Sequence, residues 1–200
     1  MPGTPLEHLE YTMEEWNGPF RDFIEALEDV KVCYDIGANA GGFSQVILNK
    51  FPKAHIVAIE PIPDNFKFLK RHLKGHTCLR CAIYYGIKET KMFWRGSNIG
   101  AYFTEDVNAG DDKIFSGFTV DCRTLEELPE KPDLIKIDVE GAEENIIPNS
   151  KLLKETKNII LEWHPEHIPV KPFLKKHLPN HKIIINLEDK QFLLCLSSQS

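Results

Sequence analysis

Three features of this sequence predict an α/β protein built on a doubly wound, mainly parallel seven-stranded sheet with a C-terminal antiparallel hairpin. Short apolar runs alternate with segments of helical periodicity, a glycine-rich turn follows the first of those runs, and two apolar runs flank "EDK" near the end. The 200 residues and net charge of -6 suit one domain over 1–200, with 1–30 as an N-terminal helical extension. That charge argues against broad binding to nucleic acid or to an anionic membrane surface. No apolar run reaches about 18 residues. The opening "MPGTPLEHLEYTMEEW" lacks the order of a signal peptide. Five irregularly spaced cysteines read as reduced thiols, so a cytoplasmic protein is expected.

The elements follow in order. In "YTMEEWNGPFRDFIEALEDV", Thr12 and Glu15 stand at capping-box spacing, and Phe20, Phe23, Ile24 and Leu27 recur at helical spacing after Pro19. This predicts a helix at the domain edge. "KVCYDIG" reads as a strand, and "GGFSQVILNKF" as a helix with Phe43, Val46, Ile47 and Phe51 on one face. "HIVAIEP" is a strand and "PDNFKFLKRHL" a helix. "TCLRCAIY" reads as one further strand, in which Cys78 and Cys81 face opposite sides, a poor start for a metal site. "TKMFWRG" and "FSGFTVDCRTL" look like strands. The polar span between them, 96–116, is a lid over a site or a mobile connection. "DLIKIDVEG" (strand), "AEENIIPNSKLLKE" (helix, kinked or broken at Pro148), "KNIILEWHP" (strand) and "VKPFLKKHL" (helix) lead into the closing hairpin.

In open sheets of this kind ligands bind beyond the carboxyl ends of the strands. The strands deliver there Asp35 with the glycine turn, then Glu60, then Asp138 and Glu140, then Glu162 and His164. A rim of carboxylates is a poor phosphate site. Counting a dinucleotide fingerprint from Gly37 puts Asn39 where the second glycine should admit a pyrophosphate. Asp35 would repel that pyrophosphate but attract an ammonium or sulfonium, and Glu60 is placed to accept from ribose hydroxyls. S-adenosylmethionine carries those groups and no phosphate.

"CYDIGANAGGFS", "AHIVAIEPIPDNFKFLKRHL", "TLEELPEKPDLIKIDVEGAEENII" and "IILEWHPEH" resemble the FkbM-type family of class I S-adenosylmethionine-dependent methyltransferases. The resemblance runs from about Val32 to His164 and is most specific in "DLIKIDVEGAE". It implies a Rossmann-like methyltransferase fold and O-methylation of a hydroxyl on a sugar, polyketide or other secondary metabolite. By motif match Asp35, Gly37, Ala38, Asn39 and Gly41 hold the methionine end, Glu60 with Pro61 the ribose, and Cys81 and Ala82 border the adenine. The acceptor, a small molecule or glycan, is not specified.

Lys136 lies mid-strand in an apolar run and needs an anion if buried. Asp138 shares its face, and Asp35 and Glu162 are on offer from neighbouring strands. Glu140 and Glu143 open the following helix, where acids suit the dipole. A hydroxyl acceptor must lose its proton, which makes Asp138 and His164 the candidate bases, with Asp138 also at the cofactor's edge. Glu162, His164 and His167 in "EWHPEH", with Asp138, offer mixed oxygen and nitrogen ligands for a metal ion, but Pro165 interrupts the run and no helical His-x-x-x-His is present, so a bound metal is not favoured. Three rivals remain: a methyltransferase of this fold acting on nitrogen in RNA or protein, a non-catalytic cofactor-binding module, and a nicotinamide oxidoreductase. The acidic balance and the lack of an Asn/Asp-Pro-Pro-aromatic motif count against the first, the intact rim against the second, and Asn39 against the third.

Overall fold

The computed structural model describes residues 9–10, 13–14, 20–94, 101–103, 116–164, 167–186 and 192–198. The described elements run α1 (Arg21–Ala26), β1 (Val32–Ile36), α2 (Gly42–Lys50), β2 (His55–Ile59), α3 (Pro63–His72), β3 (Thr77–Leu79), β4 (Ala82–Ile83), β5 (Glu89–Trp94), β6 (Ala101–Phe103) and β7 (Ser116–Arg123). They continue with a 3-10 turn (Leu125–Glu127), β8 (Leu134–Ile137), α4 (Glu143–Asn149), α5 (Lys151–Glu155), β9 (Asn158–Trp163), α6 (Val170–His177), β10 (His181–Asn186) and β11 (Phe192–Ser198).

The main sheet has seven strands in the order β10-β11-β9-β8-β1-β2-β3. Five are parallel neighbours, β9 to β3, while β11 runs antiparallel to both β9 and β10. The reversal of strand order falls between β1 and β8, which is where an open α/β sheet leaves a crevice. Alternation along each strand explains why both faces carry helices. Tyr34, Ile36, Val57, Ile59, Ile135, Ile137, Ile159 and Leu161 point to one face and pack with Ile146, Ile147, Leu153 and Leu174 of α4, α5 and α6. Cys33, Ile56, Ala58, Leu134 and Ile160 point to the other, against Phe23, Ile24, Phe43, Ile47 and Leu69 of α1, α2 and α3.

Pro148 does break its helix. The segment divides at Ser150, whose backbone is extended and whose hydroxyl caps α5 by accepting from Leu153 N at 3.1 Å.

"TCLRCAIY" is a correction. It is two strands in two sheets: β3 ends at Leu79, and β4 pairs in parallel with β7 in a four-stranded sheet ordered β4-β7-β5-β6. Two cores compete for these residues. Leu79 packs against the main core, whereas Ala82 joins Ile62, Met92, Val120 and Cys122 in a separate small one. Exposed Arg80 lies between them. Cys33, Cys78, Cys81 and Cys122 carry free thiols.

Three expectations fall outside the described residues: the Thr12–Glu15 capping box, the "EDK" turn, and the lid reading of 96–116 apart from β6 and the start of β7. Among the described residues no helix is long and apolar enough to cross a membrane.

Ile135 is fully buried at the centre of β8, flanked by β1 and β9. Ile135→Ala should cost about 2–5 kcal/mol, read as a lower urea midpoint with unchanged slope.

Candidate active site

The carboxyl ends of β1 and β8 converge on one buried cation. Asp35 and Lys136 are register partners on adjacent parallel strands, so their side chains lie side by side. Lys136 is 2% exposed. Its Nζ donates to the Gly37 carbonyl at 2.7 Å and stands 3.1 Å from Asp138 Oδ2 and 3.5 Å from Asp35 Oδ1. Burial alone would lower the ammonium's pKa, but Asp138 and Asp35 outweigh it and hold the group charged, well above the ordinary lysine range. Asp35 is fully buried, and its Oδ2 accepts from Ser44 Oγ of α2 at 2.6 Å.

The glycine turn is locked from both sides. Gly37 has φ +77° and its backbone runs so close to β8 that an added Cβ would meet the Asp138 carbonyl at 1.7 Å. Gly37 N and Ala38 N both donate to the Ile59 carbonyl of β2. Asn39 also sits in the left-handed region, φ +50°, which asparagine tolerates better than other side chains do. Its Oδ1 is buried and has no hydrogen-bond partner among the described residues. Glu60 is 4% exposed and accepts from Asn39 N at 2.7 Å and Ile62 N at 2.8 Å. Burial pushes its carboxyl up to about 7, against the opposing pull of those two amides.

Across the rim, His164 of the β9 end is held by Glu143, the first residue of α4. Nδ1 lies 2.8 Å from Glu143 Oε1, which also accepts from Val139 N at 3.2 Å. The other nitrogen, Nε2, faces Glu162 Oε1 at 3.6 Å, Glu140 Oε2 at 3.7 Å and Asp138 Oδ1 at 3.9 Å. Burial disfavours the imidazolium, but Glu143, Asp138 and Glu140 together raise the group to about 9. Glu140 has φ +52°, a conformation that costs a glutamate on the order of 1 kcal/mol or more.

A cleft opens over this rim, lined by Gly37, Asn39, Glu60, Pro61, Cys81, Ala82 and Asp138 among the predicted residues. It is narrow, about 60 Å³.

A family model for the methyltransferase FkbM domain matches residues 35–193, nearly the whole of this framework. The chain belongs to the FkbM methyltransferase family. A hexuronic acid methyltransferase, AglP of Haloferax volcanii, is 27% identical over 157 residues, covering 72% of this chain and 60% of that protein. The chain thus spans less than two thirds of that relative. Among solved structures, the methyltransferase FkbM of Methylobacillus flagellatus superposes with TM-score 0.60 at 15% identity, covering 98% of this chain and 50% of that one. The ribosomal protein L11 methylase of Lactobacillus delbrueckii superposes with TM-score 0.53 at 12% identity, over 98% and 79%. At those identities the superpositions speak to the fold alone.

Within this FkbM domain not every predicted residue reaches the cleft. Asp35, Ala38 and Gly41 do not line it; Asp35 sits beneath, tied to Lys136 and Ser44. Gly41 (φ +92°) starts α2, with an added Cβ meeting Leu69 at 2.9 Å. Lys136 and His164 stand behind Asp138. Asn65 and Met92 line the cleft without having been expected there, Glu140 lines it as its place at the rim suggests although no ligand role was assigned to it, and Glu143 was not foreseen as the partner of His164. Met92 arrives from the second sheet, which the sequence does not announce. The "VEGAE" stretch did carry a signal for Glu140: a glycine directly after a strand-end acid marks a turn of positive φ, which places that acid unlike a helix cap.

Two predictions follow from the buried charges. Lys136→Met leaves Asp35 and Asp138 without their cation and should cost about 3–5 kcal/mol in urea unfolding. For Glu60 the folded pKa lies above the unfolded value. Its protonated form therefore stabilises fully below about pH 4.5, and that contribution is lost as pH rises through about 7. Glu60→Gln should remove roughly 3 kcal/mol of stability change across that window, measured as a flatter dependence of unfolding free energy on pH.

Proposed function

We propose that this chain is an S-adenosylmethionine-dependent O-methyltransferase acting on a hydroxyl of a sugar or similar polyhydroxylated small molecule. The observation that carries the reading is the buried carboxylate rim beneath a cleft whose glycine turn bears Asn39. Such a rim repels phosphate and suits a ligand with cationic groups and a ribose diol. The orphaned Asn39 Oδ1 is an acceptor ready for a ligand's donor, and Glu60 stands at the end of β2, where a ribose is recognised in folds of this type. The hexuronic acid named for the Haloferax relative supports a sugar acceptor.

Bound there, S-adenosylmethionine supplies a methyl group activated by its sulfonium. Glu60 holds the ribose, Asn39 and the Gly37 turn hold the amino-acid end, and Asp35 fixes that turn from beneath through Lys136. Cys81 and Ala82 border the adenine. The acceptor oxygen forms its bond to the methyl carbon as the carbon–sulfur bond breaks, and the hydroxyl proton must leave. Asp138 takes it, because it lines the cleft, whereas His164 stands behind with Nδ1 committed to Glu143. Lys136 is a positioning residue that aims the Asp138 carboxylate. Alignment of acceptor and methyl supplies much of the acceleration, and proton removal a further 10²–10⁴-fold or so.

Calorimetry should show Asp35→Ala and Glu60→Ala losing S-adenosylmethionine affinity by about tenfold or more, at roughly 1.4 kcal/mol per decade. Asp138→Asn should keep cofactor binding and lose on the order of a hundredfold in single-turnover methyl transfer to a sugar acceptor. Normal cofactor binding in both cofactor-site variants would overturn the assignment.

A further inference from the structure

The second nitrogen of His164 is surrounded in a way that direct hydrogen bonding does not explain. A charged imidazole beside a carboxylate closes to about 2.7–2.9 Å, as Nδ1 does with Glu143 at 2.8 Å. On the other nitrogen three carboxylate oxygens stand off together, at 3.6, 3.7 and 3.9 Å. None is within hydrogen-bond reach, and Nε2 is buried without a hydrogen-bond partner. Oxygen and nitrogen donors that share a metal at about 2.0–2.2 Å lie roughly 3–3.6 Å apart by the geometry of tetrahedral and octahedral shells. One atom each from Asp138, Glu140 and His164 lie within 4.8 Å of one another, so small side-chain rotations bring all three to a common centre.

The surroundings fit the same reading. The Nδ1–H of a metal-bound histidine is almost always donated to a carboxylate or carbonyl, which fixes the tautomer and points the Nε2 lone pair at the ion. Glu143, fully buried, makes that contact here. It is not one of the three donors and is anchored separately by Val139 N. The left-handed backbone at Glu140 turns its carboxylate toward His164 rather than along α4. Around this point lie Asp138, Glu140, Glu143 and Glu162, with Lys136 in ion-pair contact with Asp138 and with Asp35 beneath.

We propose that Asp138, Glu140 and His164 form a binding site for a single first-row divalent cation, at the edge of the cleft. Two carboxylates and one imidazole suit ions of the Mn²⁺, Co²⁺ and Zn²⁺ kind over Mg²⁺, which favours an all-oxygen shell. The set differs from the one the sequence suggested. His167 is exposed and pairs with Glu144 at 3.1 Å, outside the cluster. Binding stands on these residues alone. Its use rests on the methyl-transfer reading: an ion there would coordinate the acceptor's oxygen and ease loss of its proton, which the Asp138 oxygen not bound to the ion would take.

Mn²⁺ titrated into chelator-treated full-length protein, followed by electron paramagnetic resonance, tests the site without cofactor or acceptor. One ion per chain is expected, with nitrogen coupling in the pulsed spectrum. Glu140→Gln and His164→Asn should each weaken binding at least about tenfold, and His164→Asn should abolish the coupling. Glu143→Gln should weaken it about tenfold through the histidine, while His167→Asn leaves it unchanged. Glu140 is 40% exposed, so Glu140→Gln decides the matter if His164→Asn does not fold. No stoichiometric Mn²⁺, or binding indifferent to Glu140→Gln, overturns the proposal. Either result leaves S-adenosylmethionine binding to be judged by its own calorimetry.

Discussion

A single ammonium organises this molecule's working end. Lys136 is buried in the central strand of the sheet, where a lone charge would be prohibitive, and it is stable there because two strand ends bring it oxygen: Asp35 and the Gly37 carbonyl from the end of β1, and Asp138 just past β8. The dependence is mutual. Without the lysine the two aspartates could not share a dry corner; without them the lysine would lose its proton or leave. What results is a floor from which the glycine turn and the Asp138 carboxylate take their positions.

The rim above that floor carries more negative charge than the lysine cancels. Glu60 answers by drawing on backbone amides and by holding its proton more tightly than a free carboxylate. His164 answers by gathering carboxylates around it. Glu60 lines the cleft, whereas His164 stands behind Asp138. Any cation arriving between them, whether a sulfonium, an ammonium or a metal, enters a field already shaped to receive it.

Much of this was legible in the residues. The alternation of apolar strands with periodic helices gave the doubly wound sheet, and the i, i+2 relation of Lys136 and Asp138 gave the buried pair, because both rest on local periodicity. Pro148 marked the broken helix for a similarly local reason. The split of "TCLRCAIY" was hidden, since three- and two-residue strands leave too little pattern to show which sheet claims them. The depth of Asp35 was hidden too: a strand-end acid reads the same whether it faces ligand or lysine. Glu143 looked like a helix-opening acid and proved to be the anchor of a histidine 21 residues away, a contact that only the packing of α4 against β9 creates.

The break after Leu79 gives the cleft a seam. One wall, from Ile36 to Glu60 and Asp138, belongs to the main sheet; the other, at Ala82, Ile83 and Met92, belongs to the small one. The two sheets are separate hydrogen-bonded ladders, joined at this point by Arg80 and Cys81. Spreading the walls along that seam severs no strand-to-strand ladder, whereas the same opening inside a continuous sheet would break one. Parting the walls there would draw on the packing of Cys81 and Ile83 against the main core and on the Asn145–Tyr85 hydrogen bonds rather than on a strand ladder.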